Sequence, residues 1–516
     1  MIGATAARIA GGVTMAASLV LLILTACGGR ARPSLVAQLA AADSLVSEGC
    51  YQCLDQAVVR YMALPPRGAA SAANETKLFR ALILLALREK ELGLDAAPRL
   101  KQAKAVLPHV TAPAIAAEQL RWAELLHTNP SALPSDVAET DRMRLFAERD
   151  AITKRLATAS TATDPVDVYI NVTLACSAAV DRNAPDPSTI AAPAGAAPVV
   201  QWRLATCGRR HEAELQAFAQ AHPRYVEADY VRGHYLMALV GEPRARREAR
   251  DRLRAANDAI PGSPAILFEL AGVTRVTSPK DALPLYEQVT RVQPRHHEAL
   301  LGQGISLTYV DRSPDAIAVL TTLIDLGRWY TGEGLYWRAW NEHHVGNLEA
   351  AWADVTRART TLFNTDVFGL AGRIAHDRRE FDVARPLLAQ ALTLSDANCQ
   401  AAWYLGLVES AQEKWLNGGV AFEGAERCYR TEIDRLREDV TAAAREVEET
   451  VRAARVAESN AAIQTNERQA ALAAYNAAYN FVKGGDKDRS RPLLDRAVLH
   501  PDVTDRAKEL RAFVDR

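Results

Sequence analysis

The sequence predicts an all-α chain, folded as an α-solenoid of antiparallel helix hairpins that ends in long, charged helices. Three observations carry that expectation. Alanines that open a second helix recur as Ala282, Ala316, Ala351 and Ala384, at intervals of 34, 35 and 33 residues. A large apolar residue follows each at the fourth place, as Tyr286, Leu320, Val355 and Leu388. Composition agrees: 49% of residues are hydrophobic but only 6% aromatic, a mix that suits close-packed helices better than sheets. One helix pair cannot bury its apolar face alone, so pairs at a fixed period must stack.

The sharpest units run from Pro294 to Asn398. Their first helices carry Leu300, Gly304 and Leu307, then Leu335 and Ala339, then Phe368, Gly372 and Ala375. A small residue at a helix crossing lets two backbones approach, and the large residue of the second helix fills the space beside it. Gly346-Asn347-Leu348-Glu349-Ala350-Ala351 supplies a turn and a helix start. This pattern resembles the tetratricopeptide repeat (TPR), whose period is 34 residues. The resemblance covers about half the chain well and the rest loosely. It implies a TPR-type solenoid whose concave groove docks a protein or peptide partner, with no enzymatic activity.

The amino terminus carries a separate message. Arg8 is the only charge before an apolar stretch from Val13 to Leu24, which ends in Leu24-Thr25-Ala26-Cys27. A short apolar run followed by small residues reads as a secretory signal over residues 1–26. The ending resembles a bacterial lipoprotein signal, which implies that Cys27 becomes the lipidated first residue. A plain signal or anchor ending in a free cysteine is the alternative. Gly28, where an aspartate often marks inner-membrane retention, implies the outer membrane. The expected location is the cell envelope, lipid-anchored at Cys27 and facing the periplasm, since several acyl chains on one residue anchor stably. The run from Leu82 to Leu87 is too short to span a bilayer and reads as a buried helix.

Residues 27–222 read as degenerate TPR-like hairpins. Pro33 to Pro66 fits one pair turning at Gly49, and Thr76 to Leu92 is answered by Ala97 to Leu107. A break from His127 to Ser135 precedes a helix from Val137 to Leu156. Helices over Val166 to Val180 and Trp202 to Gln220 flank a flexible insert near 183–200, of which Ala191 to Pro198 is a low-complexity loop. Residues 223–429 form the repeat array, with units at Arg224 to Pro261, Ser263 to Pro294, the three central ones, and Gln400 to Tyr429. In the last of these, Gly418 replaces the usual alanine. Residues 430–516 begin with a long helical run, Thr431 to Val482, striped by Ile433, Leu436, Val440 and Val447. It reads either as a solvated pair of overlong helices or as an arm that coils against a partner. A last hairpin turns at Gly484-Gly485-Asp486, and Asp505 to Val514 caps the solenoid.

Six cysteines remain after Cys27, an even number that predicts disulfides in an exported chain. Neighbour pairing is the simplest scheme: Cys50 with Cys53, Cys176 with Cys207, and Cys399 with Cys428. Cys399 begins a first helix and Cys428 ends the matching second helix, so a bridge there would staple an antiparallel pair. Cys176 and Cys207 would close the Pro185 to Pro198 segment. Such cross-links are worth about 3 kcal/mol each. Cys50-Tyr51-Gln52-Cys53 also has the spacing of a thiol oxidoreductase, yet the chain lacks the βαβ context that such a motif needs.

Formal net charge is −1, from 61 basic and 62 acidic residues, so a nucleic-acid partner is not expected. His211-Glu212 and His297-Glu298 begin like zinc-protease helices, but Leu215 and Leu301 stand where the second histidine is required. No catalytic residue, cofactor or metal site is expected. The TPR resemblance places a partner-binding groove on Glu298, Ile305 and Tyr309, on Glu333, Tyr336, Trp340, His343 and His344, on Asp366, Arg373, His376 and Asp377, and on Trp403. Tyr, Trp and Arg are the residues that contact surfaces use for affinity. Trp340 and Trp403 could equally pack between repeats. Because a groove names no ligand, a lipid-anchored capture protein for nutrients or glycans is the alternative function.

Overall fold

The computed structural model describes residues 34–64, 70–128, 139–159, 165–178, 196–206, 212–238, 243–327, 329–444 and 449–516. Among these the regular structure is entirely helical. No helix of the described residues is long and apolar enough to cross a membrane. Cys27 and the whole 1–33 segment lie outside the described residues, as do Cys207 and Val447.

The amino-terminal third packs as one bundle. Its helices are α1 (Leu35–Glu48), α2 (Tyr51–Met62), α3 (Ala70–Glu91), α4 (Ala97–Val106), α5 (Pro113–Thr128), α6 (Glu139–Ala159), α7 (Pro165–Ala178), α8 (Pro198–Ala205) and α9 (Glu212–Ala221). α3 is the hub, because Ala81 to Leu87 are all buried and every face of that stretch meets a neighbour. A continuous core joins Ala42 on α1 to Ala228 on α10 (Glu227–Met237). Arg88 on α3 and Glu227 on α10 form an ion pair in which both side chains are 1% exposed. Trp202 lies under the Arg88 guanidinium at 4.6 Å, and the Tyr51 amide donates to Glu227 Oε1 at 2.9 Å. Such a pair contributes little net stability, but losing one partner strands a buried charge at a cost of about 3–5 kcal/mol.

Two expectations are corrected in this bundle. The stretch from Trp202 to Gln220 is not one helix: α8 ends at Ala205 and α9 begins at Glu212. α8 also starts inside the region expected as a flexible insert. Val199 and Val200 are buried, and Val199 fills the space that a side chain at Gly49 would need. Apolar residues behind a proline had more to bury than the surrounding alanine-rich composition indicated.

The array continues with α11 (Pro243–Ala259), α12 (Pro264–Arg275), α13 (Pro279–Val292), α14 (His297–Tyr309) and α15 (Ser313–Leu326). It goes on through α16 (Thr331–His344), α17 (Leu348–Ala358), α18 (Thr365–Asp377), α19 (Phe381–Leu394), α20 (Cys399–Ala411) and α21 (Trp415–Ala443). The helix crossings follow the predicted rule. A Cβ at Gly304 would stand 2.6 Å from Leu320, one at Gly372 2.5 Å from Leu388, and one at Gly406 2.7 Å from Phe422. Ala339 and Val355, at the corresponding places of the second central unit, are both fully buried. The bundle docks on the start of this array: Ser263 Oγ donates to the Leu92 carbonyl at 2.5 Å, and Gln293 Nε2 donates to the Gly93 carbonyl at 2.9 Å.

Six interhelix turns share one geometry. Gly93, Asp311, Gly346, Arg379, Glu413 and Gly485 all have φ between 56° and 88°. In each, the next amide reaches back five residues to a carbonyl of the preceding helix, as from Lys414 to Glu409 and from Asn347 to Glu342 at 2.9 and 2.8 Å. This is the Schellman closure, which satisfies carbonyls left free at a helix end.

The carboxy-terminal run is a pair of long helices, the first of the two readings of that run. α21 does not stop at Cys428 but continues to Ala443, and α22 (Glu449–Lys483) returns antiparallel beside it. Ile433 is buried against Ala470 and Ala473, so the predicted stripe packs on the chain's own return helix. α23 (Lys487–Ala497) and α24 (Thr504–Val514) close the end. Cys399 and Cys428 are joined, as are Cys50 and Cys53. Both members of the second pair are essentially buried, and Cys50 Sγ caps α2 by accepting the Cys53 amide at 3.0 Å. That burial fits a staple and leaves no approach for an incoming thiol. The Cys176–Cys207 pairing falls outside the described residues.

The turns can be tested directly. The Glu413 side chain is exposed, so Glu413→Gly should relieve the left-handed backbone and raise stability by about 0.5–1 kcal/mol. Gly346→Ala, at a site with open space around it, should lower stability by about 1 kcal/mol. Denaturant midpoints of the two variants measure both effects.

Candidate functional site

The first helices of four successive units, α14, α16, α18 and α20, together with the start of the α21 extension, line a groove of about 860 Å³. Tyr309 comes from the end of α14, and Tyr336, Trp337 and Trp340 come from α16. Asp366, Gly369 and Arg373 come from α18, Gln400 and Tyr404 from α20, and Glu432 from α21. Successive repeats place equivalent first-helix positions side by side, which is why side chains some 34 residues apart meet in one wall.

The aromatic wall is continuous. Trp337 lies 5.9 Å from Tyr309, 5.3 Å from Tyr336 and 6.5 Å from Trp340, ring centre to ring centre. Burial pushes the Tyr336 hydroxyl up, with the Asp366 carboxylate adding to the effect. Burial also raises Tyr404, with Asp377 adding to it. Both phenols therefore stay protonated and able to donate.

Arg373 is the cation of the groove. Its guanidinium lies 4.8 Å from the Trp340 ring and 5.9 Å from that of Tyr404. It donates to His343 Nδ1 at 2.9 Å and to Gln400 Oε1 at 3.4 Å. Both acceptors are neutral groups, and among the described residues no carboxylate forms an ion pair with Arg373. Stacking on aromatic faces holds the planar fork in place without a carboxylate bonded directly to it, while Asp366 and Glu432 line the same groove.

A polar chain behind Arg373 fixes its direction. Because His343 Nδ1 accepts from Arg373, its proton sits on Nε2, which donates to Asp377 Oδ2 at 2.6 Å. Asp377 Oδ1 also meets His376 Nδ1 at 2.8 Å, and the His376 ring stands edge-on to Tyr404. Burial, ahead of the Arg373 charge, holds His343 below its ordinary value, although Asp377 pulls the other way. These histidines position the arginine. Among the described residues no cluster of three or more His, Cys, Asp or Glu side chains could hold a metal.

Of the residues expected to face a partner, Tyr309, Tyr336, Trp340, Asp366 and Arg373 line the groove, and His343, His376 and Asp377 stand behind it. His344 pairs with Asp311 at 3.1 Å on the exposed rim. Glu298 accepts from the Tyr330 hydroxyl at 3.3 Å, and neither it nor Ile305 nor Glu333 is among the lining residues. Trp403 is corrected to a packing residue: its ring meets Phe422 edge-on at 5.2 Å, within the cluster built by α22 and α23. α22 lies where a further first helix would stand and covers that side of α20. The sequence reading missed Trp337 and Tyr404. Both stand two residues before their crossing residue, Ala339 and Gly406, so counting register from the crossing would have found them together.

No protein-family model matches the chain, and no curated protein is similar to it. Solved structures that match are helical repeat proteins at low identity. YrrB, described as a TPR protein with an unusual peptide-binding site, is 14% identical, covering 43% of this chain and 97% of its own, with a TM-score of 0.31. The C-terminal part of a TPR repeat-containing protein from Cytophaga hutchinsonii is 12% identical, covering 54% and 97%, with a TM-score of 0.37. Yeast Tom70 is 10% identical over 93% of this chain and 95% of its own, with a TM-score of 0.31. Superpositions this loose leave the architecture to stand on the chain's own crossings, turns and period.

The His343 arrangement has a pH signature. Its folded pKa lies below the ordinary 6.5, so the unfolded chain takes up a proton first as pH falls. Stability is then full above that window and declines as pH drops through it. His343→Gln keeps both hydrogen bonds without titrating. The variant should lose less stability than the parent between about pH 7.5 and about pH 5.5 in denaturant titrations.

Proposed function

We propose that this protein is a non-enzymatic docking scaffold that holds a protein or peptide partner in the groove between Tyr309 and Tyr404. The observation that carries the reading is Arg373. It is a stacked, oriented guanidinium, open to a carboxylate, inside a continuous aromatic wall. Aromatic anchors and arginine are the residues that dominate contact energies, and an acceptor that completes an oriented cation gains a charge-assisted bond. The partner is therefore a polypeptide that presents an acidic side chain or a terminal carboxylate beside an apolar residue.

The scaffold is lipid-anchored at Cys27 in the bacterial cell envelope, on the outer membrane and facing the periplasm. The Leu24-Thr25-Ala26-Cys27 ending and Gly28 support this placement. The Cys399–Cys428 and Cys50–Cys53 bonds accord with an oxidising compartment. Radiolabelled palmitate should enter the protein in cells and should be absent from Cys27→Ser. Labelling of that variant at wild-type level would remove the anchor.

The docking site is tested by placing a photo-crosslinking residue at Tyr309 in cells and identifying adducts by mass spectrometry. One or two protein adducts should appear and should vanish when Arg373→Ala and Trp337→Ala are introduced. For a partner peptide recovered this way, Arg373→Ala should cost about 2 kcal/mol, roughly thirtyfold in Kd. Absence of protein adducts together with co-purifying envelope glycans would replace the scaffold reading with a capture protein.

A further inference from the structure

The last unit of the array departs from the others at three packing positions. Four residues before the first-helix crossing stand Leu300, Leu335 and Phe368, but Ala402 in α20. Three residues after the second-helix crossing stand Leu285, Val319, Asp354 and Leu387, but Ala421 in α21. Six after it stand Gln288, Thr322, Arg357 and Gln390, but Gly424. In the other units the first of these side chains fills the wedge between neighbouring second helices, as Leu300 joins Leu283 of α13 and Leu320 of α15 in one cluster. Where all three are cut back, α19, α20 and α21 line a cavity of about 640 Å³, a size typical of small-ligand pockets.

The lining is apolar around one buried acid. Leu392 of α19, Ala402 and Leu405 of α20, and Val420 and Ala421 of α21 supply apolar surface, and a Cβ at Gly424 would meet nothing within 4 Å. Glu409 lines the same space and is only 4% exposed. Its Oε1 accepts from Arg385 Nε at 2.7 Å, while Oε2 is buried and has no hydrogen-bond partner among the described residues. A buried carboxylate oxygen without a donor is costly, so the site favours whatever brings one. Three carboxylates line the cavity, Asp396, Glu409 and Glu432, against two guanidinium groups, Arg385 and Arg427, which leaves one negative charge in excess. The Cys399–Cys428 bond ties α20 to α21 along one wall and fixes their separation there.

We propose that this cavity is a second binding site, which takes a small apolar molecule carrying a single ammonium group. The ammonium donates to Glu409 Oε2 and supplies the missing positive charge, a charge-assisted bond at a buried acceptor. The apolar body occupies the wedge that Leu300, Leu335 and Phe368 fill in the other units. An alcohol of the same skeleton also offers a donor but leaves the excess charge in place, so it binds more weakly. Tyr404 lines the docking groove, whereas Ala402, Leu405 and Glu409 line the cavity, so the site stands whatever the groove holds.

The inference is tested on the full chain with its native disulfides intact, by ligand-observed NMR at neutral pH. The probes are hexylamine, phenylbutylamine and tryptamine, each paired with the alcohol of the same skeleton. At least one amine should bind, about tenfold tighter than its alcohol. Glu409→Gln should bring that amine to the affinity of the alcohol. Ala402→Leu restores the side chain of the other units and should abolish binding while raising the melting temperature, because it fills existing space. Ala421→Leu does the same from the opposite wall and serves if the first variant folds poorly. Arg373→Ala, in the docking groove, should leave amine binding unchanged.

Failure of every amine to bind overturns the site, as does binding that survives both filling variants. Equal affinity for amine and alcohol, or an amine preference that persists in Glu409→Gln, overturns the ammonium assignment and the proposal with it. Loss of amine binding in Arg373→Ala would move the ligand to the groove and likewise end the proposal. None of these results bears on whether the groove docks a polypeptide.

Discussion

Everything in this chain depends on how closely two helices can approach at one crossing per unit. Where Gly304, Gly372 or Gly406 stands, the facing helix presses Leu320, Leu388 or Phe422 into space that even a methyl group would occupy. That contact sets the separation of the pair, and the pair sets the rotation to the next unit. The groove inherits its geometry from this accumulated rotation, because Trp337, Arg373 and Tyr404 belong to three different first helices. A misfit at one crossing would therefore be felt at the groove without any groove residue being touched.

The turns supply the second constraint. Six of them use a left-handed residue and the same backbone closure, although only three carry glycine there. Asp311, Arg379 and Glu413 accept a strained conformation because the helices on both sides leave no alternative path. Asp311 also partners His344 at the groove rim, so one of these strained residues does a second task. The geometry of the turn is thus imposed by packing and only loosely encoded by residue type.

At the groove, burial and hydrogen bonding combine to present one charge. His343 is kept neutral, and its acceptor nitrogen turns the Arg373 fork toward the open space between Trp340 and Tyr404. Asp377 completes the tautomer from behind without reaching the arginine. Among the described residues no carboxylate forms an ion pair with this guanidinium, and the nearest acidic side chains of the groove, Asp366 and Glu432, belong to its walls. The Cys399–Cys428 bond holds the adjoining wall by tying the start of α20 to α21.

The sequence by itself determined the all-α repeat architecture, the crossing residues and the Cys399–Cys428 staple. These follow from local rules: a period, a small residue opposite a large one, and two helix ends that must be adjacent. It also marked Tyr309, Tyr336, Trp340 and Arg373, because first-helix positions recur at the repeat spacing. Tertiary structure alone decided that Trp403 packs against Phe422 while Tyr404 faces the groove, since the choice depends on α22 covering one side of α20. It also decided that Val199 and Trp202 belong to the core of the amino-terminal bundle, and it chose the helix pair from the two readings of the charged run. In each of these cases the deciding contact joins elements far apart in the chain, and no periodicity within one segment records which distant surface will cover it.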